Sequence, residues 1–375
     1  MKRRRIAIVV GTRPEAIKMA PVYASLKADP RAEAILVVTA QHRQMLDQAL
    51  KVFDIRPDID LNLMQPEQSL ADITGRVVVG IHEAVAKLQP DAVLVQGDTT
   101  TCLASALGAF YARAPVGHVE AGLRTHNLDA PWPEELNRRL VDPICRWCFA
   151  PTRGAARNLI DEGIPESRIF VTGNTVVDAL YMAQARLDRE RAVVPHLDLT
   201  QLEGRRLILV TGHRRESFGE PFRQFCLALR TIVRAHPDTA LVYPVHLNPN
   251  VQRPVHEILA GEERVHLIPP IEYLPFVFLM ERSYLIITDS GGIQEEASAL
   301  MKPVLVTRLQ TERPEAVEAG KARLVGTNAD AIVAAASRLL TDARDYGQMT
   351  LGDCPFGDGT AGGTIARILL DGDTG

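Results

Sequence analysis

Short apolar runs of four to six residues recur along this chain, separated by stretches of helical character. That alternation limits the fold more than any single motif. Residues 6–10, 35–39, 92–96 and 116–119 read as buried strands, with helices over 16–27 and 100–112 between them. Continuous apolar runs are what strands show when both faces are covered, so the pattern predicts parallel sheets flanked by helices. It pauses over the charged stretch 185–206 and restarts at 207–211, 240–245, 265–268, 284–288 and 303–307. The second half opens like the first, with Leu-Val-Thr-Gly-His-Arg-Arg-Glu (209–216) echoing Ile-Val-Val-Gly-Thr-Arg-Pro-Glu (8–15). The expectation is an α/β protein of two Rossmann-like domains, 1–174 and 175–359, with parallel sheets facing a central cleft. Ligands of such sheets sit at the carboxyl ends of the strands.

The stretch Thr288-Asp-Ser-Gly-Gly-Ile-Gln-Glu-Glu-Ala297 follows one of these runs. Strand, Ser-Gly-Gly turn and helix start together make an anion site: glycine lets backbone approach, and free N–H groups at the helix start point outward. The adjacent glutamates would repel a phosphate but can accept hydrogen bonds from ribose hydroxyls. The stretch therefore reads as a nucleotide site. The loops after other strands are dense with polar side chains. Arg13 and Lys18 follow the first strand, Asp98 ends Gln-Gly-Asp-Thr-Thr, and His118 and Glu120 lie in His-Val-Glu-Ala-Gly. Glu134, Glu135, Asn137 and Arg138 lie in Pro-Glu-Glu-Leu-Asn-Arg. Any one could be a cap or a surface group, as Asp98 could cap the helix after it. Together they suggest acid–base work on a phosphate-bearing substrate, with three carboxylates on one side of the cleft. Arg13, His213, Arg313 and the Gly-rich turn would line the other side.

A net charge of −4 gives no reason to expect nucleic acid as a partner. The basic lead-in Lys2-Arg-Arg-Arg5 is followed by no signal-peptide core, and no apolar run approaches the ~18 residues of a membrane span. Five cysteines, an odd number, suggest reduced thiols and the cytoplasm.

The motifs are long and ordered. Gly11-Thr-Arg-Pro-Glu-Ala-Ile-Lys-Met-Ala-Pro21, Gln96-Gly-Asp-Thr-Thr-Thr101, His118-Val-Glu-Ala-Gly-Leu-Arg124 and Pro133-Glu-Glu-Leu-Asn-Arg138 occupy the first half. Gly212-His-Arg-Arg-Glu216, Asp289-Ser-Gly-Gly-Ile-Gln-Glu-Glu296 and Thr311-Glu-Arg-Pro-Glu315 occupy the second. Over nearly the whole chain this set closely resembles the non-hydrolysing UDP-N-acetylglucosamine 2-epimerases. The resemblance implies a GT-B-like fold, with a last helix (about 360–375) packing back on the N-terminal domain. It implies a cytoplasmic homodimer of polysaccharide biosynthesis that interconverts UDP-GlcNAc and UDP-ManNAc without metal or other cofactor. Carried over by position, Arg13 and His213 would contact the diphosphate, and Ser290, Gly291 and Gly292 would bind it through their turn. Glu296 would hold the ribose, Phe276 would lie at the uracil, and Arg313 would complete the nucleotide site. Lys18, Asp98, Glu120, Glu134 and Arg138 would surround the sugar, with these five and His213 forming the catalytic set. Ile271 stands where a polar residue often meets the uracil, and Leu309-Gln310 replaces the usual Asp-Thr. Some members bind a second UDP-GlcNAc as an activator, which Gln41, Gln44 and His246 would contact here, while Glu67 takes the place of a basic residue.

Three other readings compete. His118-x-Glu120 followed by Pro143-Ile-Cys145-Arg-Trp-Cys148 approaches a zinc-deaminase signature, with one extra residue between Pro143 and Cys145. On the epimerase reading the two cysteines are helix-core residues. A GT-B glycosyltransferase would share the nucleotide site but use a separate acceptor. A hydrolysing relative would release free ManNAc and UDP.

Overall fold

The computed structural model describes residues 3–39, 43–63, 68–189 and 193–372, and of Arg43 and Gln44 the backbone alone. Packing divides the chain into two units: Met1–Met182 with Phe356–Gly375, and Ala183–Pro355.

In the first unit the strands are β1 (Arg4–Val10), β2 (Ala32–Val38), β3 (Ile59–Asp60), β4 (Ala92–Gln96), β5 (Val116–Val119), β6 (Trp147–Ala150) and β7 (Ile169–Val171). They form one sheet in the order β3-β2-β1-β4-β5-β6-β7, every pair parallel. The second unit holds β8 (Arg206–Thr211), β9 (Thr239–Pro244), β10 (Val265–Ile268), β11 (Ser283–Thr288), β12 (Val304–Val306) and β13 (Ala322–Leu324). Their order is β10-β9-β8-β11-β12-β13, again all parallel. Central strands such as β4 are buried along their whole length, which is why they read as unbroken apolar runs. In both sheets the winding reverses beside the unit's first strand, between β1 and β4 and between β8 and β11. Loops leaving such a pair diverge and open a crevice at the carboxyl ends.

The helix Arg13–Ala28 leaves β1 through a capping box: the Thr12 hydroxyl accepts from the Glu15 N–H, and the Glu15 carboxylate reaches back to the Thr12 N–H. Pro21 interrupts its hydrogen-bond ladder. There the terminal helix Ala361–Asp371 packs so closely that a Cβ on Gly362 would lie 2.9–3.0 Å from Pro21 atoms. The Gly362 N–H also donates to Asp178 at 2.7 Å.

One local expectation is corrected. Cys145 and Cys148 are not on a helix: Cys145 follows a single 3₁₀ turn, Asp142–Ile144, and Cys148 lies in β6. Both are buried. Their spacing of three mimics a helical face, but Trp-Cys-Phe-Ala is a short apolar run that completes the sheet.

Candidate active site

In the first unit, β4 ends at Gln96, Gly97 turns the chain at a φ of 75°, and Asp98 follows. Thr99 then caps the helix Thr100–Tyr111, so Asp98 is not the cap. The Asp98 carboxylate accepts two bonds from Arg138, at 2.9 Å from Nε and 2.6 Å from Nη2. Its carbonyl accepts the Asn137 side-chain amide at 2.8 Å. Asn137 and Arg138 are buried residues of the helix Glu134–Val141. On the same helix Glu135 accepts Arg138 Nη1 at 3.1 Å and the N–H groups of Thr125 and His126 at 3.0 Å. The Glu134 side chain makes no hydrogen bond or ion pair with the described residues.

Glu120 follows β5 at a φ of 70°, a conformation that strains a residue with a side chain. Gly122 comes next but one, and a Cβ there would sit 2.2 Å from the Ala155 carbonyl oxygen, so the loop leaves no room for any other residue. The Glu120 carboxylate takes Lys18 Nζ at 2.8 and 2.6 Å and the Gln96 side-chain amide. Among the described residues, two of the carboxylates therefore each have a cation, and the third has none. Glu15, fully buried, accepts the N–H groups of Gly11 and Thr12 at 2.6 and 2.8 Å and the Thr99 hydroxyl. Burial pushes its carboxyl up even so. Arg13 heads the helix that carries Lys18, so it shares a unit with the carboxylates and not with His213, contrary to the grouping expected from sequence.

In the second unit, β8 and β11 are tied at their carboxyl ends by a 2.6 Å bond between the hydroxyls of Thr211 and Thr288. Asp289 accepts the N–H groups of His213 and Arg214 at 2.7 and 2.8 Å, which fixes one loop against the other. Ser290 precedes the helix Gly291–Ala299 without capping it, and a Cβ on Gly292 would meet only open space. The N–H groups of this helix start are thus offered to an anion. The half-exposed His213 ring stacks on His246, centroids 5.3 Å apart and planes 15° from parallel. Burial holds its proton affinity down; Asp289 opposes that, and His246 and Arg214 add to it. Glu296 is buried and accepts the Tyr273 hydroxyl at 2.8 Å. Phe276 lies half-buried on the helix Tyr273–Arg282, and Ile271 is buried just before it. Arg313 is buried, pairs with Glu295 and donates to the Glu312 carbonyl at 3.2 Å. Leu309 is exposed.

Gln41 and Glu67 lie outside the described residues, as does the side chain of Gln44, whose backbone belongs to the helix Arg43–Val52. Gln96 and Tyr273, which hold Glu120 and Glu296, carry no role in the sequence reading, and Glu295, read there with Glu296 as a ribose acceptor, pairs with Arg313. Gln96 had a signal, its place at the end of β4 in the Gln-Gly-Asp motif; Tyr273 had none. Among the described residues no group of three His, Cys, Asp or Glu side chains could hold a metal ion. The Cys145 and Cys148 thiols are pushed up by burial, the reverse of what a thiolate ligand needs.

Comparison with known proteins agrees with this arrangement. The family profile described as UDP-N-acetylglucosamine 2-epimerase matches residues 24–370. The chain is 54% identical to the UDP-N-acetylglucosamine 2-epimerase of Escherichia coli K12 over 372 residues, covering 97% of this chain and 98% of that protein. It is 53% identical to the Yersinia pestis enzyme of the same name, with 97% and 98% coverage. The crystal structure of the Neisseria meningitidis UDP-GlcNAc 2-epimerase bound to UDP-GlcNAc superposes with a TM-score of 0.90 at 45% identity, covering 98% of this chain and all of that one. With site motifs, sheet order and full-length identity in agreement, the chain belongs to the UDP-N-acetylglucosamine 2-epimerase family that its sequence resembles.

Proposed function

We propose that this enzyme interconverts UDP-GlcNAc and UDP-ManNAc by eliminating UDP to 2-acetamidoglucal and adding it back. The proton on C2 of the sugar lies next to no carbonyl, so its direct removal would leave an unstabilised carbanion. Breaking the C1–O bond first or in concert avoids this. The bonding pair leaves on UDP, the C2 proton goes to a carboxylate, and a C1=C2 double bond forms. Returning a proton to the opposite face of C2 while UDP oxygen re-attacks C1 gives the epimer. The second unit supplies the nucleotide contacts: the helix start at Ser290, Gly291 and Gly292 with His213 for the diphosphate, Glu296 for the ribose and Phe276 for the uracil. Arg13 adds positive charge for the leaving group, and Arg313 supports the site through Glu295.

The observation that carries this reading is the carboxylate cluster of the first unit. Lys18 and Gln96 hold Glu120, and Arg138 holds Asp98. Glu134, its side chain bonded to none of the described residues, can take or give a proton without breaking an ion pair. Two faces of C2 call for at least two proton-bearing groups, and the cluster offers three. The test is a proton NMR time course on UDP-GlcNAc in D₂O without an acceptor. The expected product is UDP-ManNAc with deuterium at C2, and a trace of glycal and UDP on long incubation. Free ManNAc would identify a hydrolase, no reaction a transferase awaiting its acceptor. Product keeping its original C2 hydrogen would point to a 3-keto or ring-opened route.

The proposal extends to a homodimer in the cytoplasm. Five free cysteines support a reducing compartment, and no helix of the described residues is long and apolar enough to cross a membrane. A second UDP-GlcNAc bound near His246, with Gln41 and Gln44, would make the reverse reaction slow on pure UDP-ManNAc until UDP-GlcNAc is added.

A further inference from the structure

His118 sits two residues before Glu120 on β5, and its ring is completely buried. Nδ1 lies 2.6 Å from Asp142 Oδ1 and Nε2 lies 2.7 Å from the Gly97 carbonyl oxygen. A carbonyl oxygen can only accept. Asp142 is also confined to accepting, because its other oxygen takes Arg124 Nη2 at 2.6 Å, and Arg124 in turn binds Glu162 at 2.9 and 2.8 Å. Burial acts to raise the Asp142 carboxyl, but His118 and Arg124 outweigh it and hold it below the usual carboxylate range. Two thiols also reach the carbonyls on either side of the ring. Cys102 donates to the Gly97 carbonyl at 3.2 Å and Cys148 to the Asp142 carbonyl at 3.8 Å, and burial pushes both up, so both stay neutral. An imidazole that donates from both nitrogens carries two protons.

We propose that His118 is a buried imidazolium that grips the Gly97 carbonyl and so positions the Asp98 carboxylate for proton transfer. Gly97 is the hinge of this turn, with a positive φ just before Asp98. A ring protonated at Nδ1 alone would keep Asp142 but turn a bare nitrogen lone pair toward the carbonyl oxygen, pushing the turn away. With the cation in place, Asp98 is held from three directions: His118 through the preceding peptide, Asn137 at its own carbonyl, and Arg138 at its carboxylate. The role rests on Asp98 taking part in the reaction, as proposed above, and touches no nucleotide contact.

The test has a spectroscopic and a kinetic arm. In protein labelled with ¹⁵N-histidine, both ring nitrogens of His118 should show attached protons, with the signal assigned by its loss in His118→Gln. In that variant kcat should fall by roughly 10- to 100-fold, the loss of one hydrogen bond to a charged group, while KM and UDP affinity stay within about twofold. Asp142→Asn, which leaves the ring without an anion, gives the same kinetic comparison if His118→Gln does not fold. Where His118→Gln does not fold, the ring signal is assigned in the native protein by its through-space contacts to Gly97 and Asp142, so the spectrum decides without either variant. A ring with one bare nitrogen overturns the proposal. So does a folded His118→Gln with unchanged kcat, or one that loses UDP affinity and kcat alike. If Asp98→Asn itself keeps near-normal turnover, the assigned role of Asp98 fails, while the spectrum still decides the state of His118.

Discussion

Replacing Arg138 separates charge from geometry at the carboxylate cluster. Its side chain is 6% exposed and reaches two acids, Asp98 through Nε and Nη2 and Glu135 through Nη1; Glu135 is completely buried. Arg138→Met leaves Glu135 with its two backbone donors but no counter-charge. Removing one partner from a buried ion pair costs about 3–5 kcal/mol. At about 2–4 °C per kcal/mol for a domain of some 150–250 residues, the first unit's unfolding midpoint should drop by roughly 6–20 °C. Arg138→Lys restores the charge but not the planar fork, because one ammonium cannot make the parallel Nε and Nη2 bonds to Asp98 and still reach Glu135. Calorimetric melting should therefore recover a large part of the loss in Arg138→Lys. Turnover should remain at least ~10-fold below the parent, as expected when one charge-assisted bond worth about 1.5–3 kcal/mol is lost from the aligned carboxylate. UDP affinity should be unchanged in both variants. An Arg138→Lys enzyme with parental kcat would refute the reasoning, because charge alone would then suffice.

Asp98→Asn, Glu120→Gln and Glu134→Gln should each lower turnover by at least ~10²-fold with UDP still binding by calorimetry; near-normal turnover in all three would remove the cluster from the chemistry. His213→Ala should weaken UDP binding by roughly 10- to 100-fold through loss of a donor to the diphosphate, and parental affinity would take His213 out of the site. His213 is held below its ordinary proton affinity in the free protein, and a bound diphosphate favours the protonated ring. UDP binding should then take up a proton and tighten as pH falls toward 6, measured by calorimetry in two buffers; proton release would contradict it. Gly362→Ala should cost about 1–3 kcal/mol, because its Cβ would press on Pro21, and a melting point equal to the parent's would show that the helix contact can relax.

The fold was legible wherever burial alone decides the residue type. β1, β4, β8 and β11 are covered on both faces and so spell continuous apolar runs. The family resemblance was legible for another reason: its motifs sit in loops after these strands, where residue identity answers to chemistry more than to packing. Edges and interruptions were harder. β3 has two residues and β13 three, too short to carry a period, and β6 hides in a cysteine pair spaced like a helix turn. Pairing with β5 decides that segment, and pairing is not local.

At the site, the sequence points to charged residues, but partner choice depends on the fold. Arg13 and His213 stand at matching places in two similar openings, which invited grouping them, yet they belong to different units. Arg313 lies in a motif that suggests a phosphate ligand, and it is buried in an ion pair with Glu295, 18 positions away on the helix Gly291–Ala299. Tyr273 donates to Glu296 from 23 positions away. The same holds for the carboxylates. Asp98, Glu120 and Glu134 look equivalent in sequence, since each is an acid in a loop or at a helix start. They differ because Lys18 comes 102 positions from Glu120 and Arg138 comes 40 from Asp98. Glu134 comes with no such partner among the described residues, although it is only four residues from Arg138. A cation fixes a carboxylate in one place and holds its charge, whereas an acid outside any ion pair changes charge without breaking one. Which acid has a partner is set by long-range pairing, so a single sequence can name the members of the cluster without ranking them.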